Sequence, residues 1–106
     1  MDPIKEALTF DDVTLAPKYS SVLPSEVNTS VKLSKNLNLK IPLLSSAMDT
    51  VTESKMAIEI AKAGGIGVIH RNLSINDQIL EIKKVQKKGL VVGAAVGTND
   101  TELSRA

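Results

Sequence analysis

A net formal charge of +1 on 106 residues, from 13 Lys plus Arg against 12 Asp plus Glu, gives no electrostatic reason to expect nucleic acid or an anionic membrane as a partner. The absence of cysteine excludes disulfides, thiolate metal sites and a cysteine nucleophile within these residues, and two aromatic residues, Phe10 and Tyr19, are too few for a base-stacking platform. The longest apolar stretch, Leu90 to Val96, is far too short for a bilayer and the first residues lack the pattern of a secretion signal, so the expectation is a soluble, cytoplasmic protein of one domain's length.

In chain order, Leu8 to Leu15 has strand-like composition and ends at Ala16-Pro17, and the stretch on to Pro24 reads as irregular. Val27 to Leu33 alternates weakly, Lys35-Asn36 offers a turn, and Leu37 to Lys40 alternates again, which predicts a small antiparallel hairpin. Residues 1–40 therefore form a loop-rich, antiparallel extension. From Ile41 the pattern becomes strand, polar loop, helix. Ile41-Pro42-Leu43-Leu44 does not alternate, as expected for a strand covered on both faces, and runs into the polar cluster Ser45-Ser46-Ala47-Met48-Asp49-Thr50.

A helix follows from about Thr52, with Met56, Ala57, Ile60, Ala61 and Ala63 at helical spacing, Asp49 or Thr50 as its candidate cap and Gly64-Gly65 as its stop. Ile66 to Ile69 is the second strand, and His70-Arg71-Asn72 its exit. Ser74 with Asp77 is a capping box opening a second helix with inner positions Ile75, Ile79, Ile82 and Val85, and Gly89 ends it. Leu90 to Val96 reads as the third strand, and Asn99 with Glu102 caps a third helix. Residues 41–106 are thus three βα units. Parallel strands joined this way build either an open doubly wound sheet or part of a (β/α)8 barrel of about 250 residues, and three units alone leave open edges and bare apolar faces that predict poor solubility.

Ligands in such architectures bind at the carboxyl ends of the strands, which makes Ser46, Met48 and Asp49 candidates, with His70 and Asn72 at the next strand end. Each has a structural explanation too. Small residues permit close packing, and a lone histidine beside a buried strand is more often a satisfied core group than a ligand. The lysines at 83, 84, 87 and 88 read as a solvated helix face. The glycines at 64, 65 and 67 precede a strand, so they are not a dinucleotide fingerprint, which follows a strand and opens a helix.

The segments Leu8-Thr9-Phe10-Asp11-Asp12-Val13, Val22-Leu23-Pro24-Ser25-Glu26-Val27, Ser45 to Glu53, Gly64 to Asn72 and Val92 to Gly97 together resemble the amino-terminal portion of the inosine-5′-monophosphate dehydrogenase family. GMP reductase shares the Met-Asp-Thr-Val core, but Ser45-Ser46-Ala47 and Thr52-Glu53 favour the dehydrogenase. The resemblance implies a (β/α)8 barrel that oxidises inosine monophosphate to xanthosine monophosphate with NAD, on a potassium-activated homotetramer whose potassium ligands lie outside these residues. It also implies that Ser46 and Met48 line the nucleotide site. In the family a cysteine attacks the purine and water later releases the product. Two departures stand out: Val85-Gln86-Lys87-Lys88-Gly89 runs directly into Leu90 where the family usually carries paired CBS domains, as in a natural short form or an engineered deletion, and the cysteine-bearing loop is absent. The expectation is a piece of the barrel, inactive alone and completed by the remaining barrel. A GMP reductase fragment and a non-catalytic interaction or assembly fragment are the competing readings.

Overall fold

The computed structural model describes residues 1–106. The first 30 residues run along the surface with every side chain exposed. Leu8 to Leu15 is not a strand: the Thr9 N–H and hydroxyl both donate to the Asp12 carboxylate at 3.0 Å, and the Asp12 N–H returns to the Thr9 carbonyl at 3.0 Å, closing a turn. Strand-like composition yields to this local bonding because no partner strand lies alongside. The Asp12 carboxyl is held below the usual range by those bonds, the Thr9 N–H first. A single 3-10 turn at Pro24–Glu26 follows, with Glu26 reaching back to the Leu23 N–H at 3.2 Å.

The hairpin forms around the expected turn, but its first strand starts four residues later than the alternation from Val27 suggested. Strand β1, Val31–Ser34, pairs antiparallel with β2, Leu37–Leu39, around Lys35-Asn36, with an irregularity between Lys32 and Ser34. Only Leu39 of this hairpin is buried.

Three parallel strands follow in sequential order: β3, Leu44–Ser45; β4, Ile66–Ile69; and β5, Gly93–Ala94. The four residues of β4 are divided between its neighbours, Ile66 and Gly67 pairing with β3 and Val68 and Ile69 with β5. That division shortens both outer strands relative to the apolar runs that contain them. Ile41 to Leu44 is not covered on both faces either, because β3 is an edge strand and Leu43 and Leu44 are about half exposed.

Helices α1, Ser54–Lys62, and α2, Ile75–Gln86, pack against each other and on the same side of the sheet, and a short α3 spans Asp100–Leu103. The buried cluster is Ala57 of α1, Ile69 of β4 and Val85 of α2, with Ile58, Leu73, Ile82, Leu90 and Val92 packed around it. The α1 stripe therefore centres on Ala57 and Ile58, while Met56 and Ala63 face outward; in α2 the buried positions are Gln78 and Val85, and Ile79 is exposed. Gly64 at φ +104° and Gly89 at φ +69° end α1 and α2 in the left-handed region that glycine enters without Cβ cost.

Neither Asp49 nor Thr50 caps α1. Its N-cap is Glu53, whose side chain makes no capping bond, and the Ser54 N–H donates instead to Glu81 of α2 at 2.7 Å. Partial burial pushes the Glu81 carboxyl up, but hydrogen bonds from Lys84 and from Ser54 outweigh it and hold the carboxyl at about 2, against an ordinary 4.5. A lowered folded value means stability fully present above pH 4.5 and lost as pH falls towards 2. Because Lys84 is itself well exposed, the effect is discounted to about 1–2 kcal/mol. Glu81→Gln is expected to lower stability by that amount at pH 7 and to flatten its fall between pH 5 and 3 in urea titrations. Parallel pH profiles for the two proteins would contradict the assignment.

Only 11 of the 106 residues are buried, and the Cα radius of gyration is 18.4 Å where a compact chain of this length has about 13 Å. No helix is long and apolar enough to cross a membrane.

Candidate functional site

The polar residues at the ends of β3 and β4 form one connected shelf. Beyond Ser45 the chain turns back on itself: the Met48 N–H donates to the Ser46 carbonyl at 2.9 Å, and the Val51 and Thr52 N–H groups donate to the Met48 carbonyl at 3.0 and 2.9 Å. Thr52, fully buried, locks this loop from inside. Its hydroxyl lies 2.5 Å from the Ser46 carbonyl and 2.9 Å from the Ser45 hydroxyl. A carbonyl can only accept, so the Thr52 proton goes to Ser46 and the Ser45 hydroxyl donates to Thr52. Ser46 and Met48 are left exposed on the shelf, Met48 at 55%.

The β4 exit attaches to the same loop at two points. The Asn72 side-chain amide donates to Asp49 at 3.1 Å, and His70 Nε2 lies 2.9 Å from Glu53 Oε1. Asp49 and Asn72, both candidates from sequence, are thus direct partners. His70 is buried, as a structural histidine would be, but a carboxylate and the Asn72 N–H satisfy its ring rather than a backbone carbonyl.

The β5 exit is tied in by Gln78, buried on the inner face of α2, whose amide donates to the carbonyls of His70 at 3.1 Å and Ala95 at 2.9 Å. Arg105 completes this junction, donating to Gln78 Oε1 at 3.2 Å and to the Leu73 carbonyl at 2.8 Å. Glu102, which accepts from the Gly97 N–H and from Arg105, lies 3.9 Å from Arg71.

Thr52, Glu53 and Gln78 were not among the candidates. A clue to Gln78 was present, since Ile75, Gln78, Ile82 and Val85 follow helical spacing with one polar member. A neighbouring groove of about 460 Å³ between this loop and α1 is lined by Asp49, Glu53 and Glu59 with a single lysine, Lys55, and its negative lining is unsuited to a phosphate. No group of three or more His, Asp or Glu side chains is arranged to hold a metal ion.

The molecule is therefore a mixed α/β chain in which consecutive parallel βα units deliver polar loops to one shelf. Residues 7–106 match the IMP dehydrogenase / GMP reductase domain, and the chain belongs to that family. It is 68% identical over 82 residues to the inosine-5′-monophosphate dehydrogenase of Borreliella burgdorferi, covering 77% of this chain and 20% of that protein. It is 51% identical over 105 residues to the enzyme of the same name from Aquifex aeolicus, covering 97% of this chain and 21% of the other. With the Staphylococcus saprophyticus protein, again an inosine-5′-monophosphate dehydrogenase, it shares 59% over 83 residues, 78% of this chain and 17% of that one. The chain thus spans about a fifth of the length of these curated relatives.

Proposed function

We propose that this chain supplies the opening wall of an NAD-dependent dehydrogenase that oxidises inosine monophosphate to xanthosine monophosphate, with residues 1–40 as an extension and residues 41–106 as the first three βα units of a (β/α)8 barrel. The observation that carries the reading is the shared shelf: two adjacent parallel strands end in loops bonded to each other, on a chain whose relatives are dehydrogenases of this nucleotide. Strand order β3-β4-β5 with α1 and α2 on one side is the arrangement that successive barrel units require. The enzyme works as a soluble, cytoplasmic homotetramer.

In this reading Ser46 contributes a hydroxyl and Met48 an adaptable apolar surface to the nucleotide, while Asp49, His70 and Asn72 hold the loop that carries them. NAD, when bound, accepts the hydride; the potassium ligands and the attacking cysteine belong to the remaining barrel. The role of this chain is to bind and orient the nucleotide. In the assembled enzyme, Ser46→Ala and Met48→Ala are each expected to raise KM for inosine monophosphate about 10-fold, equivalent to about 1.4 kcal/mol of binding. Unchanged KM values in both variants would remove these residues from the site.

A further inference from the structure

The loop carrying Ser46 and Met48 is held by a residue of the next strand, and the chemistry of that contact admits only one arrangement of protons. His70 is 2% exposed, and its Nδ1 faces the Asn72 N–H at 3.2 Å. An amide N–H can only donate, so Nδ1 carries the lone pair, the ring proton sits on Nε2, and Nε2 donates to Glu53 Oε1 at 2.9 Å. Both ring nitrogens are thereby used, one on each loop. Glu53 is the N-cap residue of α1, yet its carboxylate does not cap that helix; Glu81 takes the Ser54 N–H instead, and Glu53 is turned towards His70.

Glu53 follows directly on Thr52, whose hydroxyl grips the Ser46 carbonyl. A displacement of Glu53 therefore reaches Ser46 through one residue, and a displacement of Asn72 reaches Asp49 through the Asn72 amide. We propose that His70 and Glu53 are positioning residues that set the loop Ser46–Asp49 for the nucleotide, an inference that rests on the nucleotide-site reading of Ser46 and Met48. Neither side chain is required to touch the substrate, and their contribution is to keep the loop in one conformation before binding.

The test is a KM against kcat comparison in the enzyme assembled from this chain and the remaining barrel. Glu53→Ala is expected to raise KM for inosine monophosphate about 10-fold or more with kcat changed by about twofold at most. Glu53→Gln keeps an acceptor for Nε2–H and is expected to restore KM to about the wild-type value, whereas His70→Gln keeps the donor to Glu53, loses the acceptor for the Asn72 N–H and falls between. Wild-type KM in Glu53→Ala, or failure of Glu53→Gln to rescue, would overturn the proposal. Absence of inosine monophosphate oxidation by the wild-type assembly would instead sink the functional reading. Positioning is then decided on the chain itself: nitrogen-15 spectra are expected to show the Nε2–H tautomer, and amide exchange at Met48 and Val51 is expected to be faster in Glu53→Ala than in Glu53→Gln. An Nδ1–H tautomer, or equal exchange rates, would overturn it on that ground alone.

Discussion

Gly67→Ala is expected to destabilise the chain by about 3 kcal/mol, at the upper end of what overpacking costs, although it adds one methyl group and removes a glycine from a strand. In an unconstrained strand the same change is favourable by about 0.4–1 kcal/mol, because alanine has less unfolded-state freedom to lose. Here a Cβ on Gly67 would sit 2.6 Å from the Ala57 Cα and 2.7 Å from the Ala57 Cβ, closer than carbon atoms approach without displacement. The obstacle is largely backbone, so no rotamer change relieves it and α1 must move off β4. Ala57 is fully buried and one of the three central core residues, so that movement opens the cluster with Ile69 and Val85. The Ser45 hydroxyl, 3.2 Å from the same point, carries the disturbance to Thr52 and the loop beyond. Ala57→Gly in the Gly67→Ala background removes one of the two close contacts and is expected to recover only part of the loss. Urea titrations followed by circular dichroism measure both changes, and a Gly67→Ala chain as stable as the wild type would show that α1 does not pack so closely on β4.

The second large effect concerns the chain on its own. Purified alone, it is expected to give no NADH from inosine monophosphate and NAD, and to self-associate as its concentration rises. The first expectation follows from the absence of any cysteine, the nucleophile that the family resemblance requires. The second follows from apolar surface that this chain leaves uncovered. Leu44 and Val68 share the sheet face opposite the Ala57–Ile69 core by the alternation of their strands, and Leu44 is 52% exposed. Phe10, Leu15 and Tyr19 in the first 30 residues are almost fully exposed, and both edges of the three-stranded sheet present unpaired backbone groups. Sedimentation velocity across a concentration series checks the association, and steady NADH production by the isolated chain would contradict the division of labour proposed above.

Much of the architecture was legible because it is written in local bonds. Ser74 and Asp77 open α2 through contacts three residues apart, Asn99 and Glu102 do the same for α3, and Gly64 and Gly89 mark the only two positive-φ positions. The hairpin turn at Lys35-Asn36 was readable for the same reason. Strand lengths were not, since a strand ends where its neighbour ends: β4 offers two residues to each side, and no composition reveals that division. Leu8 to Leu15 has the residues of a strand but no strand beside it.

Position at strand ends made Ser46, Met48, Asp49, His70 and Asn72 the candidates, and the structure brings Asp49, His70 and Asn72 into bonded contact. The residues that bind these loops together were harder to see. Glu53 bonds across 17 positions to His70, and Gln78 reaches the carbonyls of both His70 and Ala95, contacts that exist only once β3, β4 and β5 stand side by side.

Adding the complementary remainder of the barrel, as a separately purified chain, to this one tests the central claim most directly. The expected result is a one-to-one association that abolishes the self-association of this chain and produces NADH strictly dependent on inosine monophosphate. Two chains that stay apart in sedimentation, with the 106-residue chain folded and no NADH formed, would contradict it.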